Sequence, residues 1–127
     1  MLPPPSTIII SSKFGSSAEW IAKRTGIISR NWVGIDSLLD HAVSVAKDLL
    51  SSTESDIDGI IIASCTPAKC LPNMAHLVAA ELGFQGFLLD VNVACCGFVY
   101  ALNVAHALIR SGQYQNLMVI AASAHFS

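Results

Sequence analysis

Apolar residues recur three or four positions apart after residue 34, at the period of a helix. The residues that carry this period are Ile35, Leu38, Leu39, Ala42, Val45, Ala46, Leu49 and Leu50. They predict an amphipathic helix, for which Asp36 or Ser37 is the expected N-terminal cap. Asp40, Lys47 and Asp48 fall off the apolar stripe and are expected to face water.

Three other apolar runs are continuous instead of periodic. They cover residues 59–64, 87–93 and 117–124, and Asp90 interrupts the second. Continuous runs of this length are typical of strands that are buried on both faces of a parallel sheet. A shorter β-branched run over residues 6–10 predicts a strand near the start of the chain.

Helix signals fill the gaps between these predicted strands. Pro72 is suited to the first turn of a helix, which is predicted to run to Leu82 and to end at Gly83. Another helix is predicted to begin near Cys96. Its apolar stripe consists of Phe98, Ala101, Leu102, Ala105, Leu108 and Ile109.

The order of these elements predicts the fold class. A short helix, capped by Ser16 or Ser17, is expected to end at Gly26. From Ile35 onward the order is helix, strand, helix, strand, helix, strand. Strands that alternate with helices predict an α/β architecture, with a mixed, mostly parallel sheet covered by helices. The length of 127 residues fits one domain over residues 1–127.

The composition is unusually apolar for a chain of this size. Hydrophobic residues make up 53% of it and charged residues 13%, whereas a typical soluble domain has about 25% charged residues. Because a small domain has little interior, part of this apolar surface is expected to face a partner. The net charge of −2, without a basic run, argues against nucleic acid or an anionic membrane as that partner.

Neither a secretory signal nor a membrane span is expected. The first residues, Met-Leu-Pro-Pro-Pro, lack the basic region of a signal peptide. Residues 87–109 have about the length that a bilayer needs, but they include Asp90, Asn92, Asn103 and His106. An aspartate is costly inside a membrane, so a cytoplasmic protein is expected.

The chain contains four cysteines, Cys65, Cys70, Cys95 and Cys96. Structural disulfides are not expected without a secretory context. A zinc site prefers two clusters of closely spaced ligands, and the pair Cys65 and Cys70 has no matching second pair. No metal is therefore predicted, and the default for each cysteine is a free thiol in the packing.

Cys95 lies where a predicted buried strand passes into a predicted helix. Such a turn directs one side chain beyond the carboxyl end of the strand, where the N-terminus of the helix favours an anion. A thiol in this place is expected to react as the thiolate, and Gly97 allows close approach of backbone or substrate. The arrangement suits a covalent acyl acceptor, although adjacent cysteines at a strand–helix junction also fit ordinary packing.

The stretch Asp90-Val-Asn-Val-Ala-Cys-Cys-Gly-Phe-Val-Tyr-Ala-Leu resembles the active-site segment of the β-ketoacyl-acyl-carrier-protein synthase III family. The family pattern is an acidic strand residue, then Ala-Cys-x-Gly-Phe and Tyr-Ala-Leu. The resemblance implies that Cys95 is the acyl-accepting nucleophile, that Cys96 fills the variable position and that Phe98 lines the substrate pocket. It covers residues 7–124 and implies the N-terminal half of a thiolase-like fold.

Two further segments carry the same resemblance. Trp20-Ile and Arg24-Thr-Gly-Ile are similar to the family's coenzyme A segment. This similarity implies that Trp20 stacks on the adenine, that Arg24 contacts the same nucleotide and that Ser16 supplies a hydroxyl contact. Leu71 occupies the position whose bulk helps set acyl length, often in the pocket of the dimer mate. Without the resemblance, Trp20 fits a half-exposed helix anchor and Leu71 a core leucine.

The activity that the resemblance implies is the condensation of acyl-coenzyme A with malonyl-acyl carrier protein in fatty acid biosynthesis. Coenzyme A thioester is then a substrate, and no permanently bound cofactor is expected. The expected partners are acyl-CoA, acyl carrier protein and either a second copy or a separate C-terminal half. An interaction module is the alternative function: a catalytically incomplete fragment, or the docking half of a split enzyme.

The family's nucleophile works with a histidine and an asparagine from the second half of the enzyme. The histidines of this chain, which match no such position, are His41, His76, His106 and His125. The isolated chain is therefore expected to acylate itself at most. A thiol redox protein that uses Cys95 and Cys96 is a further alternative, but such proteins usually place two residues between the cysteines.

Overall fold

The structure, a computed structural model, describes residues 17–28, 38–67 and 69–124. The chain divides into two compact units between residues 35 and 36, and each unit is described by itself. The predicted strand over residues 6–10 and the candidate caps Ser16, Asp36 and Ser37 lie outside the described residues. A single domain over the whole chain stays a prediction.

The first unit contains one described helix, α1 (Ala18–Thr25). The Oγ of Ser17 accepts a hydrogen bond from the Trp20 N–H at 3.1 Å, so Ser17 is the cap. At the other end Gly26 adopts a left-handed φ of +71° and its N–H donates to the Ala22 carbonyl at 2.8 Å. Both ends of this helix agree with the sequence prediction.

The second unit is built on a parallel sheet of three strands, β1 (Gly59–Ala63), β2 (Phe87–Val91) and β3 (Leu117–Ala121). The strand order is β2-β1-β3, with Gly59 opposite both Phe87 and Leu117. All five residues of the central strand β1 are buried. The prediction that β2 is equally buried is wrong, because β2 lies at one edge of these three strands and its residues are only partly buried.

Three helices cover the two faces of this sheet: α2 (Leu38–Ser52), α3 (Met74–Leu82) and α4 (Gly97–Arg110). Ile61 and Ala63 of β1 pack against α4. Because side chains alternate along a strand, Ile60 and Ile62 face the opposite side, where α3 contacts β1, β2 and α2. The α/β class and the parallel sheet covered by helices are thus confirmed.

Helix α2 buries a narrower stripe than the sequence predicts. Its buried residues are Leu38, Ala42, Val43 and Ala46. Val45 and Leu49, which belong to the predicted stripe, are 43% and 41% exposed. Residues 38, 42 and 46 are each four positions apart and define the line of contact, so side chains on its flank remain in water.

Helix α4 shows a larger departure. Its buried residues are Gly97, Ala101 and Ala105, whereas Phe98, Leu102 and Ile109 of the predicted stripe are 46%, 45% and 41% exposed. This helix is apolar around most of its circumference, so periodicity alone does not select a face. The small residues at four-residue spacing select it, because they allow α4 to lie close to the sheet.

Asp90 is a helix cap placed inside a strand. Its carboxylate accepts hydrogen bonds from the N–H groups of Met74 and Ala75, both at 2.8 Å. Asn73 also caps α3, because its Oδ1 accepts from the His76 N–H at 3.3 Å. The predicted start of this helix at Pro72 is therefore wrong: it begins after Asn73, and the polar interruption of β2 satisfies its first turn.

Asp58 binds backbone N–H groups at the amino end of the sheet, directly before the central strand. Its carboxylate accepts hydrogen bonds from the N–H groups of Asn116 at 2.9 Å and Gln115 at 2.6 Å, which lower the pKa of Asp58 below its ordinary value of 3.8. These bonds join the start of β1 to the loop before β3. None of the helices in the described ranges is long and apolar enough to cross a membrane.

Candidate active site

The topology creates a crevice at the carboxyl edge of the sheet. The connection after β1 contains α3, on one face of the sheet, and the connection after β2 contains α4, on the other. Chains that leave neighbouring parallel strands toward opposite faces leave a gap between them, where α/β proteins commonly bind ligands. The loops that follow all three strands border this edge.

A pocket of about 310 Å³ lies in this crevice. Its lining comes from the ends of β1 and β3 with the residues that follow them, the turn after β2 and the start of α4: Ala63, Ser64, Cys65, Ala94, Cys95, Gly97, Phe98, Ala121, Ala122 and Ser123. None of these ten residues carries a charged side chain, and small side chains predominate. The structure thus brings Cys95 and Phe98, both predicted site residues, to one pocket.

A tight turn presents Cys95 at this pocket. Ala94 has a φ of +42°, a left-handed conformation that costs an alanine about 1–2 kcal/mol. Residues Ala94–Cys96 form one turn of 3-10 helix, in which the Cys96 N–H donates to the Val93 carbonyl at 3.0 Å. The turn then passes directly into α4, and the Cys95 thiol is free and exposed.

Gly97 faces the central strand where α4 begins. It is buried, and a Cβ added to it would lie 3.4 Å from the Cβ of Ala63. The sequence predicted that Gly97 allows close approach of backbone or substrate. The group that approaches it in this chain is β1, so this glycine holds the Cys95 turn against the sheet.

The pocket wall contains two residues that the sequence did not single out, Cys65 and Ser123. The Cys65 N–H and its Sγ both donate to the Oγ of Ser123, at 3.2 and 3.3 Å. Next to them, the Thr66 Oγ1 accepts from the Ala124 N–H at 3.0 Å. A signal was available in the sequence, since Cys65 and Ser123 each stand two residues after a strand that ends at the same edge.

The other predicted site residues lie elsewhere. Leu71 is 84% exposed and is not part of the pocket lining, so it is no core leucine of this chain. In the first unit, the Arg24 guanidinium carbon lies 5.3 Å from the centre of the Trp20 ring, and Trp20 is 52% exposed. Ser16 lies outside the described residues. The roles of Leu71, Trp20, Arg24 and Ser16 stay predictions.

Metal ligands do not gather at this site. Within residues 17–28, 38–67 and 69–124, no group of three or more His, Cys, Asp or Glu side chains is arranged to hold a metal ion. The pocket offers thiols, hydroxyls and backbone groups. Such groups can supply a nucleophile beside a small, mostly apolar space.

Sequence comparison relates the chain to one group of enzymes. The family model for 3-oxoacyl-acyl-carrier-protein synthase III matches residues 89–126, which include the end of β2, the Cys95 turn, α4 and β3. The β-ketoacyl-acyl-carrier-protein synthase III of Streptococcus mutans is 39% identical over 126 residues, which cover 93% of this chain and 39% of that protein.

Solved structures give the same result. The 3-oxoacyl-acyl-carrier-protein synthase III of Aquifex aeolicus superposes with a TM-score of 0.80 and 37% identity, over 86% of this chain and 37% of that one. The enzyme of Pseudomonas aeruginosa superposes with a TM-score of 0.82 and 28% identity, over 96% of this chain and 40% of that one. By sequence and by fold, the chain therefore belongs to the β-ketoacyl-acyl-carrier-protein synthase III family, and it spans about two fifths of the length of its relatives.

Proposed function

We propose that this chain is the cysteine-bearing segment of a β-ketoacyl-acyl-carrier-protein synthase III and that Cys95 is its acyl acceptor. One observation carries the proposal: Cys95 is an exposed thiol at a pocket, on the turn that opens α4. A covalent acyl acceptor must be accessible, and the N-terminus of a helix stabilises the thiolate and the oxyanion that forms next.

The first proposed step is transfer of an acyl group from coenzyme A. The Cys95 thiolate attacks the thioester carbonyl carbon of acyl-CoA, and the tetrahedral oxyanion collapses with loss of the coenzyme A thiolate. The acyl group remains on the Cys95 sulfur as a new thioester. One thioester replaces another, so no energy source is needed, and Phe98 and the small side chains of the pocket surround the acyl group.

The second proposed step forms the carbon–carbon bond. Malonyl-acyl carrier protein loses carbon dioxide, and the resulting carbanion attacks the Cys95 thioester. The products are a β-ketoacyl-acyl carrier protein and the free thiol. In the family, decarboxylation uses a histidine and an asparagine that these 127 residues do not include. We therefore propose that the 127-residue chain alone acylates itself but does not complete condensation.

Coenzyme A recognition is assigned to the first unit. A half-exposed indole provides a flat surface for adenine, and a guanidinium pairs with phosphate. Trp20 and Arg24 are neighbours on α1, so one nucleotide can contact both, with Ser16 as a further proposed contact. Leu71, on an exposed loop, is proposed to reach the acyl pocket of a second copy. These substrates place the proposed activity in the cytoplasm.

A condensation assay tests this function. Acetyl-CoA and malonyl-acyl carrier protein are supplied to the chain alone, and to the chain mixed with the C-terminal segment of the Streptococcus mutans relative. We expect a β-ketoacyl product only in the mixture, with loss of product for Cys95→Ser and retention for Cys96→Ser. Product from the chain alone, or from the mixture that contains Cys95→Ser, contradicts the proposal.

One observation favours a second candidate, a docking half without catalysis. Val99, Tyr100 and Leu102 are 59%, 54% and 45% exposed on α4, and an apolar surface of this kind marks an interaction site. In this case the chain binds a separate C-terminal half of a split enzyme but leaves Cys95 unused. A stable complex in which acetyl-CoA never modifies Cys95 separates this candidate from the first.

A further inference from the structure

Two cysteines on the loops after neighbouring strands line the same pocket. Cys65 follows β1 and Cys95 follows β2, and these strands pair with Ala63 opposite Val91. Parallel neighbours lie about 4.8 Å apart. The Ser64 N–H donates to the Val91 carbonyl at 3.1 Å, which extends the pairing one residue toward Cys65. The two loops therefore leave the sheet side by side.

The start of α4 and the loop after β1 border the same pocket. Gly97, two residues after Cys95, faces Ala63, and a Cβ added to this glycine would be in van der Waals contact, 3.4 Å from the Cβ of that alanine. Ala63 in turn is two residues before Cys65. The pocket that both cysteines line has about 310 Å³, near the lower limit of small-molecule sites, which is about 300 Å³. A disulfide requires Cα atoms about 4.4–6.8 Å apart, so its formation requires the two loops to approach each other across this space.

The two thiols differ in exposure and in hydrogen bonding. Cys95 is exposed, whereas Cys65 is partly buried. The Oγ of Ser123 accepts from both the N–H and the Sγ of Cys65, which holds this side chain at the pocket wall. Thiols that sense oxidants are accessible and have a second, resolving cysteine close by. Cys95 fits the first role and Cys65 the second.

We propose that Cys65 and Cys95 form a reversible disulfide when a hydroperoxide enters the pocket. The Cys95 thiolate attacks one peroxide oxygen, the O–O bond breaks, and Cys95 becomes a sulfenic acid as hydroxide, or an alkoxide, leaves. The Cys65 thiol then attacks the Cys95 sulfur, the S–O bond breaks, and water leaves with the thiol proton. The two thiols lose two electrons in total and the peroxide gains them.

This disulfide has a defined consequence for the pocket. It occupies the sulfur that the proposed acyl transfer uses, and it prevents further oxidation of Cys95 to the irreversible sulfinic acid. A thiol reductant restores both cysteines. The inference goes beyond the proposed function and does not rest on it, because it needs only the two thiols and an oxidant, without coenzyme A or an acyl group.

Peptide mapping of the purified chain tests this inference. Wild-type protein is treated with hydrogen peroxide, remaining thiols are alkylated, and trypsin with a glutamate-specific protease separates Cys65, Cys70 and the pair Cys95 and Cys96 onto different peptides. We expect a mass lower by two hydrogens, restored by dithiothreitol, and a cross-linked peptide that joins Cys65 to Cys95. Because the mapping uses wild-type chain, the result does not depend on the folding of a variant.

Matched variants sharpen the assignment. Cys70→Ser and Cys96→Ser are expected to form the disulfide as wild type does, whereas Cys65→Ser is expected to convert Cys95 to the sulfinic acid. A cross-link between Cys95 and Cys96, or equal oxidation of Cys95 to sulfinic acid in wild type and Cys65→Ser, overturns the inference. Since no step involves acyl-CoA, failure here leaves the proposed acyl transfer untouched, and failure of acyl transfer leaves this test valid.

Discussion

The two helices that follow β1 and β2 begin in different ways. The first turn of α3 is satisfied by side chains: Asp90 accepts from two of its N–H groups and Asn73 from a third. The first turn of α4 has no side-chain cap among the described residues. It is preceded instead by Ala94 in a left-handed conformation and by the exposed thiol of Cys95.

This difference separates a structural junction from the junction that we propose to be reactive. A helix N-terminus attracts negative charge, and in α3 the Asp90 carboxylate supplies this charge. The N-terminus of α4 lies next to the pocket, where a thiolate or a reaction oxyanion can supply the negative charge. The two helices also differ in burial, because large apolar residues of α4 such as Phe98 and Val99 remain exposed, whereas Met74, Ala75, Val78 and Ala79 of α3 are buried.

Among the side chains that cap α3, removal of the Asp90 carboxylate is expected to give the largest loss of stability. Hydrogen bonds to charged groups contribute about 1.5–3 kcal/mol each, and Asp90 makes two of them, partly buried, across the sheet edge. Because these bonds are only partly buried, solvent screening reduces their sum. We predict that Asp90→Ala lowers the free energy of unfolding by about 2–4 kcal/mol, measured by urea denaturation. Asp90→Asn retains one acceptor and is expected to lose less stability. A loss below about 0.5 kcal/mol for Asp90→Ala would contradict the assignment of Asp90 as a cap of α3.

Removal of the second cap of α3 is expected to cost less. Asn73→Ala deletes one neutral side-chain acceptor, and caps of this kind contribute about 1 kcal/mol. Asn73→Asp is the matched control, because it keeps an acceptor at the same place and is expected to retain wild-type stability. The same urea titration measures both variants, and an equal loss for Asn73→Ala and Asn73→Asp would contradict the cap assignment.

The contribution of the Asp58 carboxylate to stability is expected to depend on pH. Its pKa is lowered by the N–H groups of Asn116 and Gln115. Its contribution is therefore fully present above pH 3.8 and is lost as the pH falls through the lower pKa of the folded state. We predict that Asp58→Asn lowers the melting temperature at neutral pH and flattens its decline in acid, as thermal melts from pH 7 to pH 2 would show. Parallel pH profiles for wild type and variant would refute this.

The exposed face of α4 is expected to tolerate charge without loss of stability. Val99 is 59% exposed, so Val99→Lys is predicted to change the free energy of unfolding by less than about 0.5 kcal/mol. Ala101, two positions on and fully buried, is the control: Ala101→Lys places a charge in the core and is expected to prevent folding. Thermal melts check both variants. Unfolding of Val99→Lys would show that this face is already covered in the chain itself.

The elements were predictable where a signal is local. The caps at Ser17 and Gly26, the central strand β1 and the helical period of α2 all follow from neighbouring residues. The position of Cys95 at a strand–helix junction and its place beside Phe98 were predicted in the same way, helped by the family motif.

The remaining features depend on contacts between distant parts of the chain. Asp90 caps a helix that begins 16 residues earlier, and Cys65 meets Ser123 across 58 residues. From the hydropathy pattern, Asp90 looks like an interruption of a strand and Cys65 like a packing residue. Their hydrogen-bond partners, Met74 and Ser123, are too far away in sequence to affect that pattern. The buried face of α4 was predicted too broadly because the helix is apolar around most of its circumference, and its contact with the sheet buries only Gly97, Ala101 and Ala105.

The central claim is that Cys95 accepts an acyl group, and intact-mass spectrometry after incubation with acetyl-CoA tests it most directly. We predict one acetyl adduct on the wild-type chain and on Cys96→Ser, and none on Cys95→Ser. Cys65 and Cys70 remain as cysteines in every variant, so they control for nonspecific acetylation of thiols. An adduct that persists in Cys95→Ser, or no adduct on folded wild-type chain, would contradict the claim and favour the docking half.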